Sequence, residues 1–198
     1  MLMVFAVHGF EDEYDHDGRV LTDIAFEMLR HYSENEPDFT LYIIPCANPD
    51  AEAEGKSKNG FGRCNANGID INRDFPVGWD RKTTARYKTG KAPFATAEAG
   101  AIRDLVALIQ PTYAADIHGW LGCVYGTKSA TRYFEEELNL KWHADGAGGK
   151  MSMWFATVTE GGILIELKDH IRDEHYVTDT AACLIRALDR LMAGETAE

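Results

Sequence analysis

The feature that most restricts the fold of this chain is an alternation. Short, wholly or mostly apolar runs are separated by longer stretches whose apolar residues recur every three or four positions. Residues 2–7 are such a run, 40–44, 113–117 and 163–167 are apolar but for Thr40, Asp116 and Glu166, and 122–125 is a shorter one. An uninterrupted apolar run of this length suits a strand buried on both faces. Between them, Val20, Leu21, Ile24, Ala25, Met28 and Leu29 predict a helix over 19–33. Ala101, Ile102, Leu105, Val106 and Ile109 predict one over 96–109, stopped by Pro111, and a third is expected over 131–142. Val177, Ala181, Leu184, Ile185, Leu188 and Leu191 predict the last, over 174–193. Strands alternating with helices leave one architecture: an α/β fold with a mixed, mostly parallel sheet and helices on both faces.

At 198 residues the chain is read as a single catalytic domain, 1–198. No window holds 18 uninterrupted apolar residues, so no membrane partner is expected. The apolar start lacks a basic leader and runs straight into His8 and acids, which predicts a cytoplasmic protein. Cys46, Cys64, Cys123 and Cys183 form no CxxC pair and are expected to be inert thiols. The net charge of −12 argues against a nucleic-acid partner. That charge is uneven. Residues 1–50 carry 11 acids and 2 bases, whereas residues 51–100 carry 6 acids and 9 bases. The basic middle coincides with residues 46–93, rich in Gly, Asn, Lys and Arg and without sustained periodicity. So long a loop inside a compact domain is usually functional.

Sites in open α/β sheets form beyond the carboxyl ends of strands. Three predicted strand ends carry suitable groups. The first runs into His8-Gly9-Phe10-Glu11, the 113–117 strand into Asp116-Ile117-His118, and the 163–167 strand holds Glu166 among apolar neighbours. Two histidines and a carboxylate are a known catalytic zinc set. A buried Glu needs a partner or a function.

The loop supplies the rest of the pattern: Asn48-Pro49-Asp50, then Arg63-Cys64-Asn65-Ala66-Asn67-Gly68-Ile69-Asp70-Ile71-Asn72-Arg73-Asp74-Phe75-Pro76. With His8 and Glu11 before it, and His118 and Glu166 after it, the chain resembles the zinc metallocarboxypeptidase family, in particular its short bacterial branch of murein peptide amidases. Tyr87-Lys88-Thr89-Gly90, Pro93-Phe94 and Glu98 extend the likeness. The resemblance implies one Zn2+ per chain on His8, Glu11 and His118, and a zinc-bound water activated by Glu166. It implies that Arg63 stabilises the oxyanion, that Asn72 and Arg73 hold a terminal carboxylate, and that Asp70 orients a ligand histidine. The substrate would be a small peptide or N-acyl amino acid with a free carboxylate. Family members usually carry further strands before HGxE, so a smaller sheet is expected here. Many also place a mobile Tyr between the last ligand and the catalytic Glu. Only Tyr125 and Tyr133 are available in that interval, and neither can be assigned the role.

Two other functions compete with this one. An N-acyl amino acid amidohydrolase of the aspartoacylase and succinylglutamate desuccinylase type shares the HxxE…H ligands, but Asn48-Pro49-Asp50 and Gly68-Ile69-Asp70 favour a peptidase. A silent binding module on the same fold would not require Glu166, Arg63 and all three ligands together. The stretch Gly146-Ala147-Gly148-Gly149-Lys150-Met151-Ser152-Met153-Trp154 stands where the resemblance implies a side-chain pocket. Lys150 there would suit a second carboxylate on the substrate. His16, His31, His143, His170 and His175 read as solvated, and Trp120, Trp142 and Trp154 as core.

Overall fold

The computed structural model describes residues 1–55, 62–144 and 150–194. Its strands are β1 (Leu2–Phe5), β2 (Tyr42–Ile44), β3 (Tyr113–Tyr125), β4 (Lys141–His143) and β5 (Gly161–Lys168). Its helices are α1 (Gly18–Glu34), α2 (Pro49–Glu54), α3 (Ala97–Ile109), α4 (Lys128–Glu137), α5 (Met151–Val158) and α6 (Tyr176–Ala193). The five strands form one sheet in the order β2-β1-β3-β4, with β5 paired to β3.

Strand alternation sorts the side chains into two cores. Met3 and Phe5 of β1 join Ile117, Ile163 and Ile165 under α1, α4 and α6, with Met28, Phe134 and Leu188 fully buried. Leu2 and Val4 face the other way, against Ile102 and Val106 of α3, Met151 and Phe155 of α5, and Phe75 of the long loop. Helices therefore cover both faces, as the alternation requires.

The two short runs expected at 113–117 and 122–125 are two legs of one strand. The first leg climbs beside β5, Tyr113 opposite Gly161 and His118 opposite Glu166. The register breaks between Trp120 and Cys123, where Gly122 takes the left-handed φ of +65°. Beyond it Cys123, Val124 and Tyr125 stand opposite Glu166, Ile165 and Leu164, so the register runs in reverse. Glu166 thus has β3 on both sides.

The helix expected at 131–142 is corrected. It runs over Lys128–Glu137, and Asn139, at φ +51°, turns the chain into strand β4. Asn tolerates the left-handed region better than most residues, which ends the helix there. The loop at 46–93 is not structureless throughout. Asn48 accepts the Ala51 amide at 3.2 Å and Pro49 opens α2, an N-terminal pairing suited to a helix start.

Candidate metal centre and substrate cavity

The site lies past the ends of β1, β3 and β5, where the even-numbered side chains Asp116, His118 and Glu166 share the α5 side of the sheet. β1 ends at Phe5, and the turn after it buries His8 completely and Glu11 to 7% exposure. Gly9 is required there by close approach: a Cβ would fall 2.1 Å from the Ala51 backbone of α2. Asp17, fully buried, fastens the turn by accepting the Glu11 amide at 2.6 Å, the Glu13 amide at 2.8 Å and the Trp120 indole N–H at 3.1 Å.

Two imidazoles converge on one carboxylate oxygen. Nδ1 of His8 is 3.0 Å, and Nδ1 of His118 2.7 Å, from Oε1 of Glu11. Each ring has its other nitrogen on a buried aspartate. Nε2 of His8 lies 2.9 Å from Asp70 Oδ1, and Nε2 of His118 2.8 Å from Asp116 Oδ1. For His8 this backing suits the tautomer that leaves Nδ1 facing the centre, while His118 Nε2 also lies 2.8 Å from the Asn72 amide nitrogen. One donor atom from each of His8, Glu11 and His118 lies within 4.8 Å of the others, all three residues buried. Donor type, convergence and carboxylate backing fit a zinc ion.

The electrostatics point the same way. Burial raises the Glu11 carboxyl, but His8 and His118 more than offset it and hold Glu11 well below the usual carboxylate range. Asp70 is likewise raised by burial and brought down further by His8 and Arg63. Burial disfavours the His118 cation, yet Asp116 and Glu11 hold its pKa well above the ordinary histidine value. A metal would replace that proton as the neutralising charge.

Glu166, 9% exposed, is the carboxylate left over. Burial pushes it up to about 7, with His118 and Lys150 partly opposing the repulsion from Glu11 and Asp116. It shares a cavity of about 250 Å³ with His8, Glu11, His118, Arg63 and Arg73. Arg63 is buried and committed, its Nε 3.2 Å from Asp70 Oδ2 and its Nη1 3.5 Å from Glu11 Oε2. Arg73, half-buried, donates to the Asn72 carbonyl at 2.6 Å and makes no ion pair among the described residues. Lys150, also on the cavity wall, stands 5.7 Å from the Tyr125 ring centroid.

All nine sequence-derived site residues gather here. Asn72 also has a framework position: its amide donates to Asp116 Oδ2 at 3.1 Å and accepts the Met151 amide at 2.8 Å, joining the loop to α5. Four neighbours went unrecognised. Asp116 was legible, because residues two apart on a strand share a face. Asp17 and Arg86 carry no spacing signal, and Tyr87 entered only as part of the Tyr87-Lys88-Thr89-Gly90 likeness, without a role. Trp120, expected in the core, is half-buried and walls the cavity, while Trp154 stacks on Phe75 in the core as expected. His143 is half-buried and stacks on Tyr125. Residues 146–149 of the Gly-rich stretch lie outside the described residues.

Comparison with known proteins places this geometry in context. The family model described as zinc carboxypeptidase matches residues 19–170, a span that begins after His8 and Glu11. Bacteriocin BCN5 of Clostridium perfringens is 31% identical over 206 residues, covering 98% of this chain and 23% of the bacteriocin. Murein peptide amidase A of Escherichia coli K12 is 31% identical over 96 residues, covering 42% of this chain and 37% of the amidase. The chain therefore spans well under half the length of either curated relative. Murein-tripeptide amidase from Escherichia coli O157 has the same fold at a TM-score of 0.70 and 21% identity, covering 100% of this chain and 82% of that one. Carboxypeptidase A from Helicoverpa armigera follows at 0.68 and 14%, covering 98% and 59%.

Proposed function

The chain belongs to the zinc carboxypeptidase family, and from that premise we propose that it hydrolyses an amide bond next to a free carboxylate. One observation carries the reading: a two-histidine, one-glutamate centre backed by carboxylates opens onto the same cavity as Glu166, its carboxyl pushed up to about 7, and an Arg73 with no ion pair among the described residues. His8, Glu11 and His118 would hold the zinc, one per chain. When bound, that ion supplies a Lewis acid for the scissile carbonyl and eases ionisation of the attacking water.

The chain's own residues do the rest. Glu166 takes the proton of the attacking water and hands it to the leaving nitrogen. A carboxyl titrating near 7 suits both transfers, because a proton carrier works best near the operating pH. Arg63, fixed by Asp70 and Glu11, offers preorganised positive charge to the developing oxyanion. Asp70 and Asp116 hold the two imidazoles in register. Arg73 receives the terminal carboxylate, since its planar fork can bind both oxygens, and Asn72 sets the backbone from which it projects.

Substrate class follows from Lys150. It makes no ion pair among the described residues, and it approaches the cavity from β5's neighbour α5, as the residue just before that helix. A second carboxylate on the substrate would meet it there. This favours small acidic or murein-type peptides over peptides ending in bulky apolar residues, and one relative is named for murein peptides.

The test is metal analysis coupled to hydrolysis of a panel, with and without chelator. The panel holds a murein tripeptide, a C-terminal residue series and N-acyl amino acids. Chelator-sensitive cleavage of free-acid peptides supports the proposal. Turnover confined to N-acyl amino acids would transfer the chain to the amidohydrolase reading, and no turnover by a zinc-loaded protein would leave a binding module.

A further inference from the structure

Three guanidinium groups surround one tyrosine ring at the edge of the cavity. The Cζ atoms of Arg63, Arg73 and Arg86 lie 5.5, 5.4 and 5.6 Å from the Tyr87 ring centroid. Tyr87 is 37% exposed and walls the same cavity as the metal ligands. It ends a short 3₁₀ turn, Ala85–Tyr87, that is tied to the loop bearing the other two arginines. The buried Cys64 thiol reaches the Ala85 carbonyl at 3.4 Å, and the Asp70 amide donates to the Lys88 carbonyl at 2.8 Å. Arg86 is held in turn by an ion pair with Asp12, and its Nε donates to the Tyr87 hydroxyl at 3.2 Å.

The three arginines differ in what else holds them. Arg63 has Asp70 and Glu11, and Arg86 has Asp12. Among the described residues Arg73 forms no ion pair; it has the Asn72 carbonyl and the ring, with Asp70 near enough to feel its charge. A long side chain with so little restraint samples many rotamers, and fixing it on substrate binding costs entropy. A carboxylate partner would fix it but would occupy the donors the substrate needs. An aromatic face avoids that conflict, because it attracts the guanidinium through its π surface and leaves the in-plane N–H fork free.

We propose that Tyr87 is the positioning residue of the carboxylate-binding arginine: its ring holds Arg73 oriented beside Arg63, with Nε and Nη2 free of hydrogen bonds among the described residues. The inference rests on the assignment of Arg73 to the substrate's terminal carboxylate. The aromatic ring, and not the hydroxyl, does the positioning. Because the contact exists before and throughout the reaction, it acts on binding rather than on the chemical step.

The experiment compares wild type, Tyr87→Phe and Tyr87→Leu on one peptide in free-acid and C-terminally amidated forms. Steady-state kinetics give kcat and KM, calorimetry gives the Kd of both forms on chelated protein, and thermal melting checks the fold. Wild type should prefer the acid. Phe should keep that preference within about twofold. Leu should lose roughly 2- to 30-fold of it, the range of one cation–π contact, in KM and Kd while kcat stays within about twofold. A Leu variant with the wild-type preference would overturn the role of Tyr87 and leave the parent assignment intact, as would equal losses in Phe and Leu. A wild type that does not distinguish acid from amide would overturn both.

Discussion

Replacing Glu166 with Gln should make the metal-free protein more stable, and increasingly so as pH rises. Burial pushes the Glu166 carboxyl up to about 7 from the ordinary 4.5. The folded chain thus holds this proton where the unfolded chain has released it. The contribution is fully present below about 4.5 and is lost as pH climbs through 7. The full loss is about 2.5 in pKa at about 1.4 kcal/mol each, or about 3.5 kcal/mol, of which about 2–3 kcal/mol falls between pH 5 and 8.5. Gln is nearly isosteric and does not titrate, so it escapes that loss. The assay is urea unfolding of chelated wild type and Glu166→Gln at pH 5, 7 and 8.5. Subtracting the two curves removes the titrations they share. The stability gap should widen in favour of Gln by about 2–3 kcal/mol across the range. A gap that is flat, or that narrows with rising pH, would refute the claim that Glu166 is a carboxyl strained by burial beside Glu11 and Asp116.

Three further outcomes are expected. His118→Ala should abolish zinc binding while circular dichroism shows the fold retained, and stoichiometric zinc in that variant would remove His118 from the ligand set. Asp116→Asn should weaken zinc affinity by roughly 10- to 100-fold, the usual cost of losing a carboxylate behind a ligand histidine, as read by competition with a chromogenic chelator; an unchanged affinity would show that Asp116 does not support His118. Arg73→Ala and C-terminal amidation of the substrate should each lower kcat/KM by similar factors that do not add, whereas additive losses in the double-perturbation cycle would give Arg73 another task.

Legibility followed the strength of local constraints. The β1 run is wholly apolar and the β5 run apolar but for Glu166, because both faces are buried, so their pattern points to buried strands. The ends of those strands then place His8 and Glu166. The loop motif from Arg63 to Arg73 was readable through its resemblance, and its buried polar side chains have fixed partners: Asp70 holds His8 and Arg63, Asn72 holds Asp116 and Met151. Helix α5 was not readable. Met151, Ser152, Trp154 and Phe155 are buried around much of its circumference, which removes the 3.6-residue contrast. The end of α4 was misplaced because Leu138, Leu140 and Trp142 continue an apolar pattern past Asn139, whose left-handed conformation is a backbone event with little signal in the pattern. The role of Tyr87 was hidden for a third reason. Its meaning lies in arginines 14 and 24 residues earlier in the chain, brought around it only by tertiary structure.

The central claim is that Glu166 carries protons beside a metal it does not bind. Zinc content and turnover of Glu166→Gln, measured on the same preparation with a free-acid peptide, test this most directly. Zinc should match wild type, since His8, Glu11 and His118 are intact, while kcat falls by roughly 10²- to 10⁴-fold. A zinc-replete Gln variant with near-normal turnover would contradict the account.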